Sequence, residues 1–556
     1  HSKNMWAFSV PVILFILGKS VCSCKPKGCQ VPMRTDSGWI CGQMRVAEDK
    51  YKYASFRGVP YGKPPLGDRR FKPWNNWLDA TEEGPACPTK ELLYGRIYQP
   101  KKGQSEDCIY LNLHVPYTNS TTTRTRVPIL VFIHGGGFQS GSGLTDLHGP
   151  EYLITKGVIV ITFNYRLNVF GFLSLASKEI PGNQGLRDVV TLLRWVQRNA
   201  RAFGGDPDDV TLMGQSAGAT LAHILSISKA GQGLFKRLIL MSGTAIGNHY
   251  DPSPENAAMI AKVFLSNLGI NSTDPVYIHK QLTKLPLQNI MESFTIIQHN
   301  FGATCIPAVV EGVYPGVTRI LEDYPLELLA QGKGRGYPLL LGFTNHEMEA
   351  FRWWNINFDM VKLVEKDQKL LLFPRLRSGV PEKVQSKLAD RVYDRCFKGK
   401  ATLDELIKCQ SDINIIYSAF KLAEWRAIIG APAYLYQYSY ESDRSLIEEG
   451  LYITYDGAAH IEDLTYVFRV NSLLDEHIVS FPPKNTDDRM KDWMTTFVTN
   501  FINPTCEVNE WNWPQLSTDK FVYQNIAKPK VYKVMKPTAH QIEMVKFYDS
   551  IDIKSR

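Results

Sequence analysis

The residues best suited to do chemistry in this sequence form the pentapeptide Gly214-Gln215-Ser216-Ala217-Gly218. The apolar stretch 210–213 before it predicts a strand, and residues 219–227 predict a helix. When a serine stands between glycines at a strand-to-helix turn, the turn holds its hydroxyl exposed above the sheet, as a nucleophile requires. An ordinary Gly/Ser turn would look the same over five residues, so the hypothesis depends on partner groups elsewhere.

A serine that attacks a carbonyl needs N–H donors for the negative charge that develops on oxygen. The segment His134-Gly135-Gly136-Gly137-Phe138 follows the apolar run 128–133, which predicts a strand. Glycines there let backbone N–H groups, together with that of Ala217, point into a cavity without side chains in the way. A phosphate-binding loop is the alternative, but no Walker lysine follows the glycines. We therefore predict an oxyanion hole.

The nucleophile also needs a base and an acid that orients the base. Glu347 comes just after the predicted strand 339–342, where such an acid belongs, although an acid in a loop is usually only solvated. His460 lies in the segment 456–463, with small residues before it and acids after it. Spacing alone does not select it among the candidate bases, which are His279, His299, His346, His460, His477 and His540.

Apolar runs of strand length alternate with helical periods along the chain, which is typical of a sheet that helices cover on both faces. We predict an α/β fold in one insertion-rich domain, since no linker, repeat or low-complexity run divides the 556 residues. The predicted elements are a hairpin at 31–46, strands at 109–115, 128–133, 158–163, 210–213, 238–241, 337–341 and 433–440, and helices at 185–202, 219–227 and 490–501.

A series of segments in a fixed order carries a resemblance to a known family. They are Phe56-Arg57-Gly58-Val59-Pro60-Tyr61, Glu106-Asp107-Cys108-Ile109-Tyr110-Leu111-Asn112, His134-Gly135-Gly136-Gly137-Phe138, Asn164-Tyr165-Arg166, Gly182-Asn183-Gln184-Gly185-Leu186, Phe203-Gly204-Gly205-Asp206-Pro207 and the serine pentapeptide. From residue 31 to about residue 513 the chain resembles the type-B carboxylesterases of the cholinesterase-like superfamily. The resemblance implies an α/β-hydrolase fold, with a large, mostly parallel central sheet flanked by helices.

The resemblance also implies roles for individual residues. Ser216 would be the nucleophile, Glu347 the acid and His460 the base of a triad that forms an acyl-enzyme without a metal or a cofactor. The family pattern further implies Gly136, Gly137 and Ala217 in the oxyanion hole, Ser242 in support of Glu347, Gln215 where most relatives carry glutamate, and a disulfide between Cys87 and Cys108.

Three features bear on the substrate. Gln215 before the serine resembles insect juvenile hormone esterases and some lepidopteran antennal or integument esterases, whereas Val189 after Asp188 departs from the Asp-Gln typical of hormone esterases. No tryptophan lies between Cys87 and Cys108 to bind a quaternary ammonium group. We therefore expect a carboxylesterase for small or medium apolar esters of xenobiotic, odorant or pheromone type, with juvenile hormone esterase as the alternative.

Other classes of protein are less consistent with the sequence. Catalytically inactive, adhesion-type relatives usually lack a triad residue, and all three are present here. A secreted lipase would need a lipid-activated lid, which a sequence does not reveal. The net charge of +8 is spread among acids, without the basic stripe of a nucleic-acid-binding protein. A small-molecule ester is thus the expected partner, and the oligomeric state is left open.

The amino-terminal residues predict export. An apolar run at 6–17 follows Met5 and ends in small and polar residues, which indicates a signal peptide over 1–23, with 1–4 upstream of the initiator Met5, and an esterase domain over 24–556. A membrane anchor is the alternative, but the run is short for a bilayer. Asn119 and Asn271 stand in glycosylation sequons. We expect a secreted, extracellular protein without stable membrane insertion.

Ten cysteines in an exported protein predict disulfides. Cys87 and Cys108 bracket a polar loop and form the strongest pair. Two further pairings, Cys29–Cys41 and Cys396–Cys409, are hypotheses. Two of the other cysteines, Cys305 and Cys506, are expected to stay free or to bond to each other.

Overall fold

The computed structural model describes residues 28–62, 78–90, 100–117, 126–248, 250–301, 306–442, 445–474, 485–503 and 513–552. The predicted signal peptide lies outside these residues. So do Asn119, Cys305, His477 and Cys506.

One mixed sheet organises the described residues. Its thirteen strands are β1 (Val31–Thr35), β2 (Gly38–Val46), β3 (Lys52–Pro60), β4 (Leu78–Asp79), β5 (Tyr110–Pro116), β6 (Val127–Ile133), β7 (Ile159–Phe163), β8 (Gly205–Gln215), β9 (Arg237–Met241), β10 (Leu339–Thr344), β11 (Ala433–Tyr438), β12 (Tyr523–Ile526) and β13 (Lys533–Met535). Their order is β1-β2-β3-β5-β7-β6-β8-β9-β10-β11-β12-β13, with β4 beside β2. The strands from β7 to β12 in this order are parallel, and antiparallel strands flank them on both sides.

The central strands are buried on both faces, which explains their unbroken apolar sequences. Along β6, Ile129, Val131 and Ile133 belong to one core, whereas Leu130 and Phe132 belong to the other. The two sets alternate because successive side chains of a strand point to opposite sides of the sheet. The predicted α/β class is therefore confirmed.

Helices cover the two faces of the sheet. They are α1 (Glu151–Ile154), α2 (Asn168–Phe172), α3 (Gln184–Asn199), α4 (Ala217–Ile227), α5 (Pro254–Asn267), α6 (Pro275–Leu282), α7 (Leu287–Phe301), α8 (Pro325–Ala330), α9 (Arg352–Asn357), α10 (Met360–Lys366), α11 (Pro374–Gly379), α12 (Glu382–Cys396), α13 (Leu403–Ser411), α14 (Tyr417–Ile428), α15 (Leu446–Leu451), α16 (Asn471–Leu474), α17 (Thr486–Ile502) and α18 (Ala539–Ile551). The helix predicted at 185–202 is α3, which ends earlier and passes into a 3-10 turn over Ala200–Phe203.

The parallel strands bring three chain segments to one edge of the sheet. β6 leads into the glycine loop 134–137, β8 leads into Ser216, and β10 ends at Thr344, shortly before Glu347. Because the carboxyl ends of parallel strands lie at the same edge, the segments that follow them meet there.

Three disulfides join segments of this fold. They are Cys29–Cys41, Cys87–Cys108 and Cys396–Cys409, the three pairs that the sequence predicts. The first fixes Cys29, two positions before β1, to β2, and the last joins the end of α12 to α13. Among the helices of the described ranges, none combines the length and the apolar character that crossing a membrane requires.

Candidate active site

The nucleophile turn, residues 214–218, is fixed by its glycines. Ser216 alone joins β8 to α4, with φ of 57° and ψ of −127°. A side chain on Gly214 would collide with the backbone of Gly218, and a side chain on Gly218 would collide with the carbonyl oxygen of Ile133. A positive φ destabilises a non-glycine residue by about 1 kcal/mol or more, so the surrounding contacts must hold Ser216 in place.

The Ser216 side chain is partly exposed, although the residues on both sides of it are buried. Its N–H donates to the carbonyl oxygen of Met241, at the end of β9, over 2.8 Å. Within the described ranges its Oγ makes no hydrogen bond. The neighbouring strand thus fixes the turn while the hydroxyl stays available for a substrate.

Two loops that pair like short strands bring the base and the acid together. The N–H of His346 donates to the carbonyl oxygen of Ala458, and the N–H of His460 donates to that of Glu347, each over 3.0 Å. This pairing places His460 Nδ1 2.6 Å from Glu347 Oε2. The exposed fractions of the two residues are 2% and 0%, so water does not compete for the contact.

Glu347 determines which nitrogen of His460 carries the hydrogen. An ionised carboxylate only accepts, so Nδ1 holds the hydrogen and donates it, and Nε2 presents a lone pair. The other carboxylate oxygen, Oε1, accepts the N–H of Thr344 over 2.7 Å. Held at both oxygens, the carboxylate orients the ring as a general base requires.

The second ring nitrogen of His460 contacts Gln215. Nε2 lies 3.1 Å from the side-chain amide nitrogen of Gln215, whose exposed fraction is 0%. Because Gln215 precedes Ser216, this contact brings the base to the nucleophile turn. The ring of Phe351, centred 5.7 Å from that of His460, packs against the base.

Ser242, which the family pattern assigns to the support of Glu347, makes no hydrogen bond to that carboxylate among the described residues. Its hydroxyl is buried without a hydrogen-bond partner among the described residues. Its N–H donates to the carbonyl oxygen of Gly342 over 2.8 Å. Glu347 already accepts from Thr344 and His460, so its two oxygens have other donors. Ser242 therefore contacts the strand ends and makes no hydrogen bond to the acid.

The glycine loop after β6 lies against the nucleophile turn. A side chain on Gly135 would come within 3.0 Å of Ser216 Cβ. Gly136 and Gly137 adopt φ of 111° and 63°, which direct the backbone into the left-handed region. The N–H groups of Gly136, Gly137 and Ala217 make no hydrogen bonds within the part of the chain described. Three donors are thus available beside Ser216.

His134 fixes the start of this loop. Its Nδ1 lies 2.8 Å from the carbonyl oxygen of Gly135, and its ring stacks on Tyr165 at 4.5 Å. The Tyr165 hydroxyl donates to the carbonyl oxygen of His134 over 2.9 Å. Burial lowers the pKa of His134 to about 4, so the ring is neutral near pH 7. Its role is structural, because it fixes the start of the glycine loop.

The structure separates His460 from the other candidate bases. His279, His299 and His346 are exposed, and His540 pairs with Asp412 over 3.0 Å. A further buried histidine, on α4, has no counterpart in the prediction. It is His223, which accepts the N–H of Ala245 over 2.9 Å, and burial lowers its pKa to about 3. Its place in an apolar helix was the only signal in the sequence.

Two buried acids behind His460 were visible in the sequence but had no assigned role. The Tyr436 hydroxyl donates to Asp463 over 2.8 Å. Burial, with the nearby charge of Glu347, raises the pKa of Asp463 to about 7. Burial likewise raises the pKa of Glu462 to about 7. No group of three or more His, Cys, Asp or Glu side chains in the described segments could hold a metal ion.

Known proteins share this architecture. The model of the Carboxylesterase family matches residues 30–545. The chain is 47% identical over 535 residues to the juvenile hormone esterase of Heliothis virescens, covering 94% of each chain. It is 31% identical to that of Tribolium castaneum, covering 87% of this chain and 86% of the relative.

Solved structures agree with this result. The crystal structure of juvenile hormone esterase from Manduca sexta, with OTFP covalently attached, matches with a TM-score of 0.90 and 48% identity, over 94% of this chain and 99% of that one. A PNB esterase structure matches with a TM-score of 0.68 and 26% identity, over 93% of this chain and 100% of that one. The α/β-hydrolase fold is therefore confirmed.

Proposed function

We propose catalytic roles for three residues on the basis that this chain belongs to the carboxylesterase family and is a carboxylic ester hydrolase. Ser216 is the nucleophile, His460 the general base, and Glu347 the acid that orients the base. The observation that carries the proposal is the buried contact of 2.6 Å between His460 Nδ1 and Glu347 Oε2. That contact leaves Nε2 with a lone pair beside the nucleophile turn.

In the acylation step, Ser216 Oγ bonds to the ester carbonyl carbon while its proton passes to His460 Nε2. The π electrons of the carbonyl move to its oxygen, where the N–H groups of Gly136, Gly137 and Ala217 stabilise the charge. Each such donor contributes about 3 kcal/mol to the transition state. When the carbonyl re-forms, the alkoxide leaves and takes the proton from Nε2, which yields the alcohol and the acyl-enzyme.

Deacylation repeats these steps with water in the place of Ser216. His460 Nε2 takes a proton from water, whose oxygen bonds to the acyl carbon, and then returns the proton to Ser216 Oγ as the acid leaves. Glu347 stays ionised throughout and stabilises the charged ring. The cycle therefore restores every group and needs one water for each ester.

Ser216→Ala tests the mechanism, because it removes the atom that forms the acyl-enzyme. We expect kcat for 1-naphthyl acetate to fall by about 10⁴-fold or more. Ser226→Ala is the matched control, since Ser226 is a buried serine of the same helix whose hydroxyl donates to the carbonyl oxygen of His223. Substantial activity in Ser216→Ala, with the control unchanged, would contradict the assignment.

For the substrate, we propose juvenile hormone rather than a general apolar ester. The support is the 47% identity to the Heliothis virescens hormone esterase and the 48% identity to the Manduca sexta one. The feature that favours a general esterase is Val189, which is fully buried in the core on α3. Asp188 before it pairs with Arg166 over 2.7 Å. That departure lies in a packed helix, so it carries little information about substrate.

The ratio of two specificity constants tests this choice. We expect kcat/KM for juvenile hormone to exceed that for 1-naphthyl acetate by about tenfold or more, because discrimination appears in this constant. We also expect OTFP to inhibit the enzyme by attachment to Ser216. A ratio below one would favour the general, odorant or pheromone esterase instead.

We further propose that the protein is exported. Three disulfides favour an oxidising compartment. The sequon asparagine Asn271 is exposed in the loop between α5 and α6, where a glycan would meet no packed surface. Detection of a glycosylated protein in the medium of insect cells that express the full chain tests this, and exclusive retention inside the cells would contradict it.

A further inference from the structure

We propose that Gln215 is a positioning residue whose side-chain amide follows the protonation state of His460. Its N–H group donates to Nε2 while the ring is neutral, and its oxygen accepts from Nε2–H when the ring is charged. The inference rests on the proposed role of His460 as the general base, and it assigns to Gln215 a task in the proton transfer itself.

The contacts of the neutral ring support the first half of the proposal. Glu347 accepts the hydrogen bond from Nδ1–H, so Nε2 has only a lone pair to offer. The Gln215 amide nitrogen, 3.1 Å away, is a donor for that lone pair. Since Ser216 Oγ makes no hydrogen bond within the described ranges, Gln215 occupies the lone pair that must later take the serine proton.

The unsatisfied atom of Gln215 supports the second half. Its amide oxygen, Oε1, is buried and has no hydrogen-bond partner among the described residues. A buried acceptor without a partner is unfavourable, because it has lost its hydrogen bond to water and gained none in the protein. This acceptor lies where a side chain on Gly135 would stand, so the missing side chain of Gly135 provides the space that the oxygen occupies.

Charging the ring reverses what Nε2 requires. Once Nε2 has taken the serine proton it is a donor, and it then faces the N–H group of Gln215, also a donor. Turning the amide about its last side-chain bond exchanges the two groups and brings Oε1 to Nε2–H. The acceptor that lacks a partner in the resting enzyme thus gains one when the ring is charged.

Substitution of Gln215 by glutamate or by methionine tests its contacts with the neutral and the charged ring separately. A glutamate only accepts, so it stabilises the charged ring and offers nothing to the neutral one. A methionine of similar length neither donates nor accepts with comparable strength. Only an amide serves both states, which distinguishes Gln215 from a residue that merely fills space.

Other titratable groups also face His460 and must be controlled. Glu347 contacts Nδ1 directly. Asp463 interacts with the charges of both Glu347 and His460, and its pKa of about 7 lies within the range of the assay. His134, on the glycine loop, stays neutral above pH 5, because burial lowers its pKa to about 4. Glu462 lies next to Asp463 in the chain, and burial raises its pKa to about 7 as well. Asp463 and Glu462 are therefore the two groups whose titration has to be removed.

The experiment measures kcat/KM of the full chain for 1-naphthyl acetate from pH 5 to pH 9, for wild type, Gln215→Glu and Gln215→Met. We expect Gln215→Glu to move the midpoint of the acid limb upward by about one pH unit, which lowers kcat/KM at pH 5 by about tenfold. We expect Gln215→Met to lower the plateau by about tenfold with a smaller movement of the midpoint. Titration of active serines with a fluorophosphonate corrects each rate for unfolded protein.

The same profiles recorded on Asp463→Asn and on Glu462→Gln identify the group that titrates. A shift from Gln215→Glu that persists in both backgrounds belongs to His460, whereas a shift that disappears in one of them belongs to the acid replaced there and overturns the proposal. An unchanged acid limb in Gln215→Glu, or a plateau in Gln215→Met equal to that of wild type, overturns it too. If Ser216→Ala also retained activity, the proposed function itself would fail, so the two failures are distinguishable.

Discussion

Two regions of the active site are stabilised by different kinds of contact. One is the nucleophile turn, and the other, the base corner, consists of the paired segments 345–349 and 456–463. The turn depends on backbone shape over five successive residues, where Gly214 and Gly218 leave no room for a side chain. The base corner depends on hydrogen bonds between residues 113 positions apart in the chain. Geometry in the turn is therefore local, whereas in the corner it requires the whole sheet.

This difference predicts two kinds of damage. A side chain added at a glycine of the turn collides with neighbouring backbone atoms, so it should reduce the free energy of unfolding together with the activity. A change in the corner alters which atoms donate and accept while the loops stay paired through their main chains. It should reduce activity and leave the fold intact.

Among the changes that test this contrast, the largest effect is expected in the base corner, for Glu347→Gln. The amide can still accept the N–H of Thr344, but it cannot stabilise a charged His460 and does not enforce the productive tautomer. We expect kcat to fall by about 10³–10⁴-fold, with a melting temperature close to that of wild type. Steady-state kinetics and circular dichroism on the same preparation measure the two quantities.

Glu349→Gln is the matched control for that change. Glu349 belongs to the same 3-10 turn as Glu347, over Glu347–Phe351, and is also buried, but it pairs with Arg352 over 2.7 Å instead of with a histidine. Its replacement should retain most of the activity. Equal losses in the two variants would show that the corner responds to any lost charge, and the contrast with the turn would then disappear.

A smaller effect, on stability, is expected in the nucleophile turn for Gly218→Ala. The new methyl group meets the carbonyl oxygens of Ile133 and His134, which belong to the backbone and cannot move aside. We expect the free energy of unfolding to fall by about 3 kcal/mol or more, as measured by urea denaturation.

Gly204→Ala serves as the control for this prediction. Gly204 has φ of 76° and open space around it, so alanine there adds backbone strain without a collision. It should reduce the free energy of unfolding by only about 1 kcal/mol. Similar losses of unfolding free energy in both variants would mean that backbone strain, without a collision, accounts for the effect of Gly218→Ala.

The same contrast explains how much the sequence revealed. The nucleophile turn could be predicted from the residues, because strand, glycines and helix follow one another within one short stretch. The base corner could not, since spacing left several histidines equivalent, and only the resemblance to the family selected His460 and Glu347. Long-range contacts leave no local signal in a single chain.

Contacts between side chains were the least predictable part of the site. Gln215 was visible as an unusual neighbour of the serine, but its contact with His460 Nε2 depends on where β8 and the loop after α15 meet. A supporting role for Ser242 stays a prediction, and the donors that the structure gives to the Glu347 carboxylate are Thr344 and His460. Residue types suggested partners, and only the packed structure decided between them.

The smallest expected effect concerns the acid sensitivity of the helix that follows the nucleophile turn. His223 on α4 is buried, and burial lowers its pKa from the ordinary 6.5 to about 3. As the pH falls, the unfolded chain therefore binds a proton at His223 at a higher pH than the folded chain does. Its contribution to stability is complete above pH 6.5 and is lost as pH falls from there toward 3, by about 1.4 kcal/mol per pH unit.

His223→Gln keeps an acceptor for the N–H of Ala245 but does not titrate. Relative to this variant, wild type should lose about 2 kcal/mol of unfolding free energy between pH 7 and pH 5, as measured by urea denaturation at each pH. Asp463 in the base corner acts with the opposite sign, because its raised pKa of about 7 favours the folded state as pH falls. A difference between wild type and His223→Gln that stays constant from pH 7 to pH 5 would show that His223 is not held neutral. Any loss of unfolding free energy at acid pH would then have to come from groups outside α4.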